Sequence, residues 1–175
     1  MNRYLFAVAS IAALLLVSSA RANAEDFSAR FSGFNEIGGL GVGETGAILS
    51  EGEGTLKLNL DRVAQTITYE LTYSGLSSTV LVAHIHFGKV HVAGGIIVFL
   101  CGGGGTPACP NPGGTGGTVT GTITPASVIG PTGQGIPVGN FDGLADALTS
   151  NTAYGNIHTV NHPAGEIRGE IRPAD

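Results

Sequence analysis

The five histidines are the residues of this sequence best suited to chemistry, and they fall in two short clusters. The first cluster contains His84, His86 and His91, and the second contains His158 and His162. Imidazole is the commonest protein ligand for zinc, copper and iron. Because two clusters that are distant in sequence can meet in a fold, the histidines predict a candidate mononuclear metal site.

The expected main ligands of this site are His84, His86 and His158. Optional ligands are His91, His162 and Glu166. Because most of these donors are nitrogens, copper or zinc is expected rather than magnesium or calcium. The metal site is the alternative to a first interpretation, in which no metal binds and the histidines form hydrogen bonds to strand ends and turns that hold the fold.

The N-terminus has the order of a secretory signal peptide. Arg3 precedes an apolar run, Leu5–Val17, and the small residues Ala22-Asn23-Ala24 follow it. The run is too short to span a membrane as a helix, so we expect no membrane span in the mature protein. Cleavage after Ala24 would leave residues 25–175 as a single domain, exported to the periplasm or the extracellular medium.

The charge of the chain argues against nucleic acid as a partner. The whole sequence has 8 basic and 13 acidic residues and a net charge of −5. Removal of Arg3 and Arg21 with the signal peptide leaves 6 basic residues and a net charge of −7. A negative protein repels phosphate backbones. The expected partner is an extracellular or periplasmic protein or ligand that the sequence does not identify.

The two cysteines, Cys101 and Cys109, are expected to form a disulfide. Export to an oxidising compartment favours a bridge between them. The bridge would close a loop that contains four consecutive glycines, residues 102–105. A metal-binding or catalytic thiol pair is the alternative, although the spacing is not C-x-x-C.

Alternating apolar residues predict short strands in the first half of the chain. Leu56, Leu58 and Leu60 alternate with polar residues, and the pattern resumes at Ile67 after a turn, which predicts a β-hairpin. A third strand is predicted at Val80–Phe87. Alternation along this strand places His84 and His86 on the same face.

Further elements are predicted after the third strand. The predicted strands are 96–100, 118–124, 154–160 and 165–172. Apolar residues at i, i+3, i+4 and i+7 predict one short helix over residues 141–148, with Asn140 as its cap. In the last strand Glu166 and Arg168 are expected to face outward and to form a surface ion pair, and the alternative is that Arg168 anchors a carboxylate partner.

The number and length of these elements indicate an all-β fold. About seven short strands joined by turns are typical of an antiparallel β-sandwich. The 29 glycines agree with many tight turns. We therefore predict one antiparallel β-sandwich with a single short helix.

Two ordered motifs resemble the CHRD domain, a module named after chordin that also occurs in bacterial secreted proteins. The first motif is Ala83-His84-Ile85-His86. The second comprises Asn156-Ile157-His158-Thr159 and the segment from Pro163 to Gly169. The resemblance extends from about Phe31 to Arg172, and the Cys-bounded glycine loop looks like an insertion in it. Glu166 and Arg168 belong to the second motif, where a structural role is expected.

The resemblance implies a small antiparallel β fold, immunoglobulin-like or superoxide-dismutase-like in shape, in an extracellular or periplasmic setting. It implies no established reaction. The H-x-H of His84 and His86 is similar to copper ligation in copper/zinc superoxide dismutase, but the likeness ends there. Because the serines have no G-x-S-x-G context and no Ser or Cys is next to a histidine, no catalytic residue is predicted. We expect a binding or structural module rather than an enzyme, and a superoxide-dismuting activity that depends on bound copper is the remaining alternative.

Overall fold

The computed structural model describes residues 24–38, 46–111 and 114–174. The predicted signal peptide lies outside these residues, apart from Ala24. Within the described ranges, no helix has the length and apolar character needed to cross a membrane.

The described residues form nine strands, one α-helix and short 3-10 turns. The strands are β1 (Ala24–Ser32), β2 (Glu53–Asp61), β3 (Thr66–Ser74), β4 (Val80–Phe87), β5 (Gly95–Cys101), β6 (Gly117–Ile123), β7 (Ala153–Thr159), β8 (Ile167–Glu170) and β9 (Arg172–Pro173). The helix α1 spans Phe141–Thr149, and the 3-10 turns are Gly33–Asn35, Pro125–Ser127 and Thr132–Gln134.

All strands belong to one antiparallel sheet. The strand order is β5-β4-β7-β8-β1-β2-β3-β6, and β9 pairs with β1. The sheet curls around one hydrophobic core to which every strand from β1 to β8 contributes buried side chains. Opposite halves of the sheet therefore face each other across the core like the layers of a sandwich. The prediction of an all-β antiparallel fold with one short helix is confirmed.

The β2–β3 hairpin follows the alternation of its sequence. Leu56, Leu58 and Leu60 are buried on one face, while the residues between them face solvent. The turn is closed by Asp61, whose Oδ1 accepts hydrogen bonds from the backbone N–H groups of Val63 and Ala64. A side chain that replaces a backbone partner in this way is typical of Asx turns.

Helix α1 begins at its predicted residue. The Asn140 side chain accepts a hydrogen bond from the backbone N–H of Gly143, which satisfies one of the free donors at the helix start. Phe141, Leu144 and Leu148 lie in the core, as the 3.6-residue period requires.

The last predicted strand differs from the observed one at its start. It was expected to begin at Gly165, but β8 begins at Ile167 because Gly165 has a φ of 130°, which no extended strand uses. Glu166 therefore belongs to the turn between β7 and β8.

The predicted disulfide between Cys101 and Cys109 is present. Two tyrosines of β3 hold the ends of the loop that it closes. The Tyr69 hydroxyl donates to the Leu100 carbonyl oxygen at 2.7 Å, and the Tyr73 hydroxyl donates to the Pro110 carbonyl oxygen at 2.6 Å. The loop is thus fixed to the sheet on both sides of the bridge.

Loss of the disulfide should lower the free energy of unfolding. Replacing Cys101 and Cys109 together with serine releases the closed loop, and the chain-entropy model gives a loss of about 2.5 kcal/mol. Urea denaturation of the two proteins measures the difference. A reductant should destabilise the natural protein and leave the double variant unchanged. Equal stability of the two oxidised proteins would contradict the prediction.

Candidate metal centre

Pairing of β4 with β7 positions the histidines. In this antiparallel pair His84 lies opposite Asn156, His86 lies opposite Tyr154, and His158 lies opposite a valine two residues before His84. Because side chains alternate along both strands, the three histidines occupy the same face of the sheet. The two distant histidine clusters therefore meet through one strand pairing.

This face is the one directed away from the hydrophobic core. Ala83 and Ile85 of β4 and Ile157 of β7, which lie between the histidine positions, belong to the core cluster. The opposite face of β4, β7 and β8 carries polar and aromatic side chains that contact one another, and we call them the polar layer. Its members are His84, His86, Tyr154, Asn156, His158, Arg168 and Glu170.

The three imidazole rings are in direct contact. The ring centroids of His84 and His86 are 4.4 Å apart, and those of His84 and His158 are 4.6 Å apart. One nitrogen from each ring lies within 4.8 Å of the other two. The structure thus brings together the three residues that the sequence proposes as main ligands.

Hydrogen bonds fix the orientation of two of the rings. His86 Nδ1 is 2.7 Å from the Gly94 carbonyl oxygen, and His158 Nδ1 is 2.9 Å from the Pro163 carbonyl oxygen. A carbonyl oxygen only accepts, so each Nδ1 carries the hydrogen and each Nε2 carries the lone pair. Outer-shell partners of this kind commonly orient metal-ligating histidines.

Two buried ring nitrogens of the cluster, His84 Nδ1 and His86 Nε2, form no hydrogen bond of normal geometry among the described residues. Asn156 is nevertheless close enough to His86 to interact with its ring. His84 is only 4% exposed, so water does not readily take the place of a protein partner. Buried polar atoms are nearly always hydrogen-bonded, and an exception calls for an unrecognised ligand or a functional explanation.

Burial keeps His84 and His86 neutral. It lowers the pKa of His84 to about 2, and repulsion from a protonated His86 or His158 would lower that pKa further. It also lowers the pKa of His86 to about 4, although hydrogen bonds to Gly94 and Asn156 oppose this shift. Neutral imidazole is the form that binds metal ions, so these two donors are available throughout the physiological pH range.

The donor set fits a transition-metal ion. Three imidazole nitrogens are a common donor set for zinc and suit copper as well. Nitrogens bound tetrahedrally at about 2.0–2.1 Å from an ion lie roughly 3.4 Å from one another. The observed nitrogens all lie within 4.8 Å of one another, which is close to this spacing.

An aromatic and cationic stack supports His86. Its ring lies parallel to that of Tyr154, with an interplanar angle of 4° and centroids 4.6 Å apart. The guanidinium carbon of Arg168 lies 3.3 Å from the Tyr154 ring centroid. Arg168 also forms an ion pair with Glu170 at 2.9 Å. A buried positive charge therefore lies one ring away from the imidazole cluster.

A buried carboxylate approaches the cluster from another direction. Glu36 follows the first 3-10 turn and is 4% exposed. Its Oε2 accepts a hydrogen bond from Asn156 Nδ2, and its Oε1 accepts from the backbone N–H groups of Ile37 and Gly38. Asn156 thus lies between a fixed negative charge and the histidines.

The disulfide-closed loop forms one wall of the cluster. Phe99 of β5 contacts the His84 ring edge-on, with centroids 5.5 Å apart. The other side of Phe99 packs against the backbone of Gly103 and Gly104, where any Cβ would collide with the ring. Phe99 is therefore packed between the loop and His84.

The structure does not place the other two histidines in this group. His91 is exposed in the loop between β4 and β5. His162 lies in the turn between β7 and β8, where its carbonyl oxygen accepts hydrogen bonds from the backbone of Thr159 and Gly165. Both lie outside the three-histidine group.

The prediction that Glu166 and Arg168 face outward and pair with each other is wrong. Glu166 is 0% exposed and Arg168 is 1% exposed. Arg168 pairs with Glu170 instead. Loop 88–94 covers it, since its guanidinium donates to the carbonyl oxygens of Lys89 and Val92. For Arg168 the alternation identified the correct side of the strand, but it could not show that other segments cover this side.

Glu166 joins segments that are distant in sequence. Its carboxylate accepts hydrogen bonds from the hydroxyls of Ser50, Ser77 and Thr159 and from the backbone N–H of Ser77. Burial alone would raise the pKa of Glu166, but these four bonds outweigh it and lower the pKa below its ordinary value. Glu166 is therefore ionised at neutral pH and fully hydrogen-bonded.

Sequence reasoning missed Tyr154, Asn156, Glu36 and Phe99 as neighbours of the histidines. For two of them a signal was present, because Tyr154 and Asn156 precede His158 by four and two residues and so share its face. Glu36 and Phe99 reach the cluster through tertiary packing alone.

Comparison with known proteins gives one match. A family model described as the CHRD domain matches residues 27–171. No curated protein and no solved structure matches. The match covers both histidine motifs.

Acid should destabilise the metal-free protein. The pKa values of His84 and His86 are lower in the folded state, so below about pH 6.5 the unfolded chain binds protons first. Above that pH the two histidines make no pH-dependent change to the free energy of unfolding. As the pH drops from there towards 4, the free energy of unfolding should fall by about 1.4 kcal/mol per pH unit for each of the two histidines.

Urea denaturation at pH 7, 6 and 5 with a chelator present measures this slope. His84→Asn should reduce it, whereas His91→Ala, at an exposed position, serves as the control and should keep it. A slope that His84→Asn leaves unaltered would show that His84 is not held neutral by the fold.

Substitution of Glu166 by glutamine should cost about 2 kcal/mol of unfolding free energy, because an amide N–H would face groups that donate hydrogen bonds to the present carboxylate. Glu51→Gln provides the matched control, since Glu51 is exposed. Thermal or urea denaturation at pH 7 compares the variants. If Glu166→Gln lowers the unfolding free energy no more than Glu51→Gln does, the hydrogen bonds of the Glu166 carboxylate do not stabilise the fold.

Proposed function

The chain belongs to the CHRD domain family, and from this premise we propose that it is an exported binding module whose ligand is a transition-metal ion, copper or zinc. The ion is held by His84, His86 and His158. Membership of the family supports a binding or structural module but does not specify a ligand. The ligand is inferred from the site.

One observation carries the proposal. Three imidazoles from two strands meet under partial or complete burial, and two of their buried nitrogens form no hydrogen bond of normal geometry among the described residues. A cluster that served packing alone would leave those nitrogens desolvated at a cost of about 1–3 kcal/mol each. A bound cation would offset this cost, because the nitrogens would form coordination bonds to it.

Nitrogen donors decide the class of ion. Within the described chain, the group of potential ligands contains no carboxylate. Calcium and magnesium prefer oxygen ligands, whereas zinc and copper bind imidazole well. This supports a transition metal over an alkaline-earth ion.

A structural role of the same histidines is the second candidate function. The bonds from His86 to Gly94 and from His158 to Pro163 tie two turns to the sheet, which supports this alternative. The two roles use different nitrogens of each ring, so they are compatible. No catalytic step is proposed for either.

Export is part of the proposal. The disulfide is compatible with an oxidising compartment. The signal sequence proposed for residues 1–24 supports it further. The module would then meet its metal or its protein partner in the periplasm or outside the cell.

Metal binding should depend on the three clustered histidines. We expect about one copper or zinc ion per chain, and a loss of affinity of more than about 100-fold in His84→Ala, His86→Ala or His158→Ala, since even outer-shell changes cost 10–100-fold. Elemental analysis gives the stoichiometry, and competition with a chelator gives the affinity.

His91→Ala and His162→Ala are the matched controls, because each removes an imidazole that lies outside the group. Both should bind as the natural protein does. Equal loss in the controls, or substoichiometric metal with only micromolar binding, would leave the structural role as the function of these histidines.

A further inference from the structure

We infer that the three-histidine site prefers monovalent copper, Cu⁺, to divalent ions, and that Arg168, acting through Tyr154, determines this preference. The inference rests on the proposed function, because it assumes that an ion binds there. It assigns the charge of the ion and adds a specificity-determining residue that does not itself touch the ion.

The ligands provide no negative charge. The group consists of three imidazoles without a carboxylate or thiolate among the described residues. Any charge on the ion must therefore be balanced by the surrounding protein. A buried charge that is not balanced is costly, and the cost rises with the size of the charge.

Three charged groups belong to the polar layer or bond to one of its members: the positive Arg168, its ion-pair partner Glu170, and Glu36, which bonds Asn156. The buried Glu166 bonds only Ser50, Ser77 and Thr159, which lie outside the polar layer. The Arg168 and Glu170 side chains are 1% and 19% exposed, and Glu36 is 4% exposed. One positive and two negative groups leave one negative charge. A monovalent cation neutralises the assembly, whereas a divalent ion leaves it positive.

Arg168 cannot move away from this assembly. Its guanidinium donates to the carbonyl oxygens of Val92 and Lys89 at 3.2 and 3.3 Å and to Glu170 at 2.9 Å. It lies against the face of Tyr154, whose ring stacks on His86. The positive charge is thus held at a fixed distance from a ligand, in a part of the protein with little water to screen it.

The same contacts position the His86 ligand atom. Gly94 donates its N–H to the Tyr154 hydroxyl at 3.0 Å and accepts the Nδ1 hydrogen of His86 at 2.7 Å. Only glycine fits there, since a Cβ would collide with the Phe87 carbonyl oxygen. Arg168 holds the loop that contains Gly94. It therefore acts on His86 both through the Tyr154 ring and through this loop.

Two substitutions separate charge from structural support. Arg168→Gln makes the site more negative and should favour the divalent ion. Glu170→Gln removes a negative charge and should favour the monovalent ion. Because a unit charge acts twice as strongly on a divalent ion as on a monovalent one, we expect the ratio of Cu⁺ to Zn²⁺ affinity to change by about tenfold or more, in opposite directions. If these side chains only support the structure, each substitution should weaken the binding of Cu⁺ and of Zn²⁺ by the same factor.

The test measures Cu⁺ affinity by competition with bicinchoninate and Zn²⁺ affinity by competition with a chromophoric zinc chelator. Both ions have filled d shells, so their ratio reports charge rather than ligand-field preference. The natural protein should bind Cu⁺ more tightly than Zn²⁺, and the two variants should shift the ratio oppositely. If Arg168→Gln fails to fold, the Glu170→Gln shift alone supports or refutes the charge effect.

Zn²⁺ binding as tight as Cu⁺ binding would overturn the inference while leaving the proposed metal site intact. Ratios that stay constant in both variants would overturn the role of Arg168. Absence of any binding that depends on His84, His86 and His158 would instead overturn the proposed function. The three failures are therefore distinguishable.

Discussion

The antiparallel pairing of β4 with β7 is the constraint on which the candidate site depends. It places His84 opposite Asn156 and His86 opposite Tyr154, and it brings His158 to the same face. A shift of the register by one residue would turn every side chain of one strand to the other face. The hydrophobic residues between these positions fix the register, because they must remain in the core. The core therefore specifies the geometry of a site that lies on its opposite side.

A buried polar layer outside the core carries an energetic cost that the structure largely offsets. Arg168 has an ion pair, a ring and two carbonyl oxygens as partners, and Glu36 accepts three hydrogen bonds. Within such a layer an atom without a partner is informative, since polar atoms at this depth are usually satisfied. His84 Nδ1 and His86 Nε2 form no hydrogen bond of normal geometry among the described residues. Their position at the contact of the rings is the physical reason to consider an ion.

The sequence predicted the strands better than it predicted their surroundings. Alternation located β4 at its observed bounds, and the i, i+3, i+4 pattern located the start of α1. These are local signals that depend on one element and its core contact. The burial of Glu166 and Arg168 was missed because period-2 alternation identifies a face but not what covers it. Covering segments such as loop 88–94 are distant in sequence and obey no period.

The structural role and the metal-binding role of a histidine use different nitrogens of the same imidazole ring. In His86 and His158, Nδ1–H donates a hydrogen bond to a carbonyl oxygen of a loop or turn, Gly94 or Pro163. This bond leaves Nε2 as the nitrogen with the lone pair. A substitution that removes such a ring would therefore break a hydrogen bond to a loop or turn and also remove a metal ligand. A loss of stability in these variants is expected under both explanations and does not separate them. Only a quantity that changes with metal concentration does, because a ligand that binds the folded state alone stabilises it by mass action.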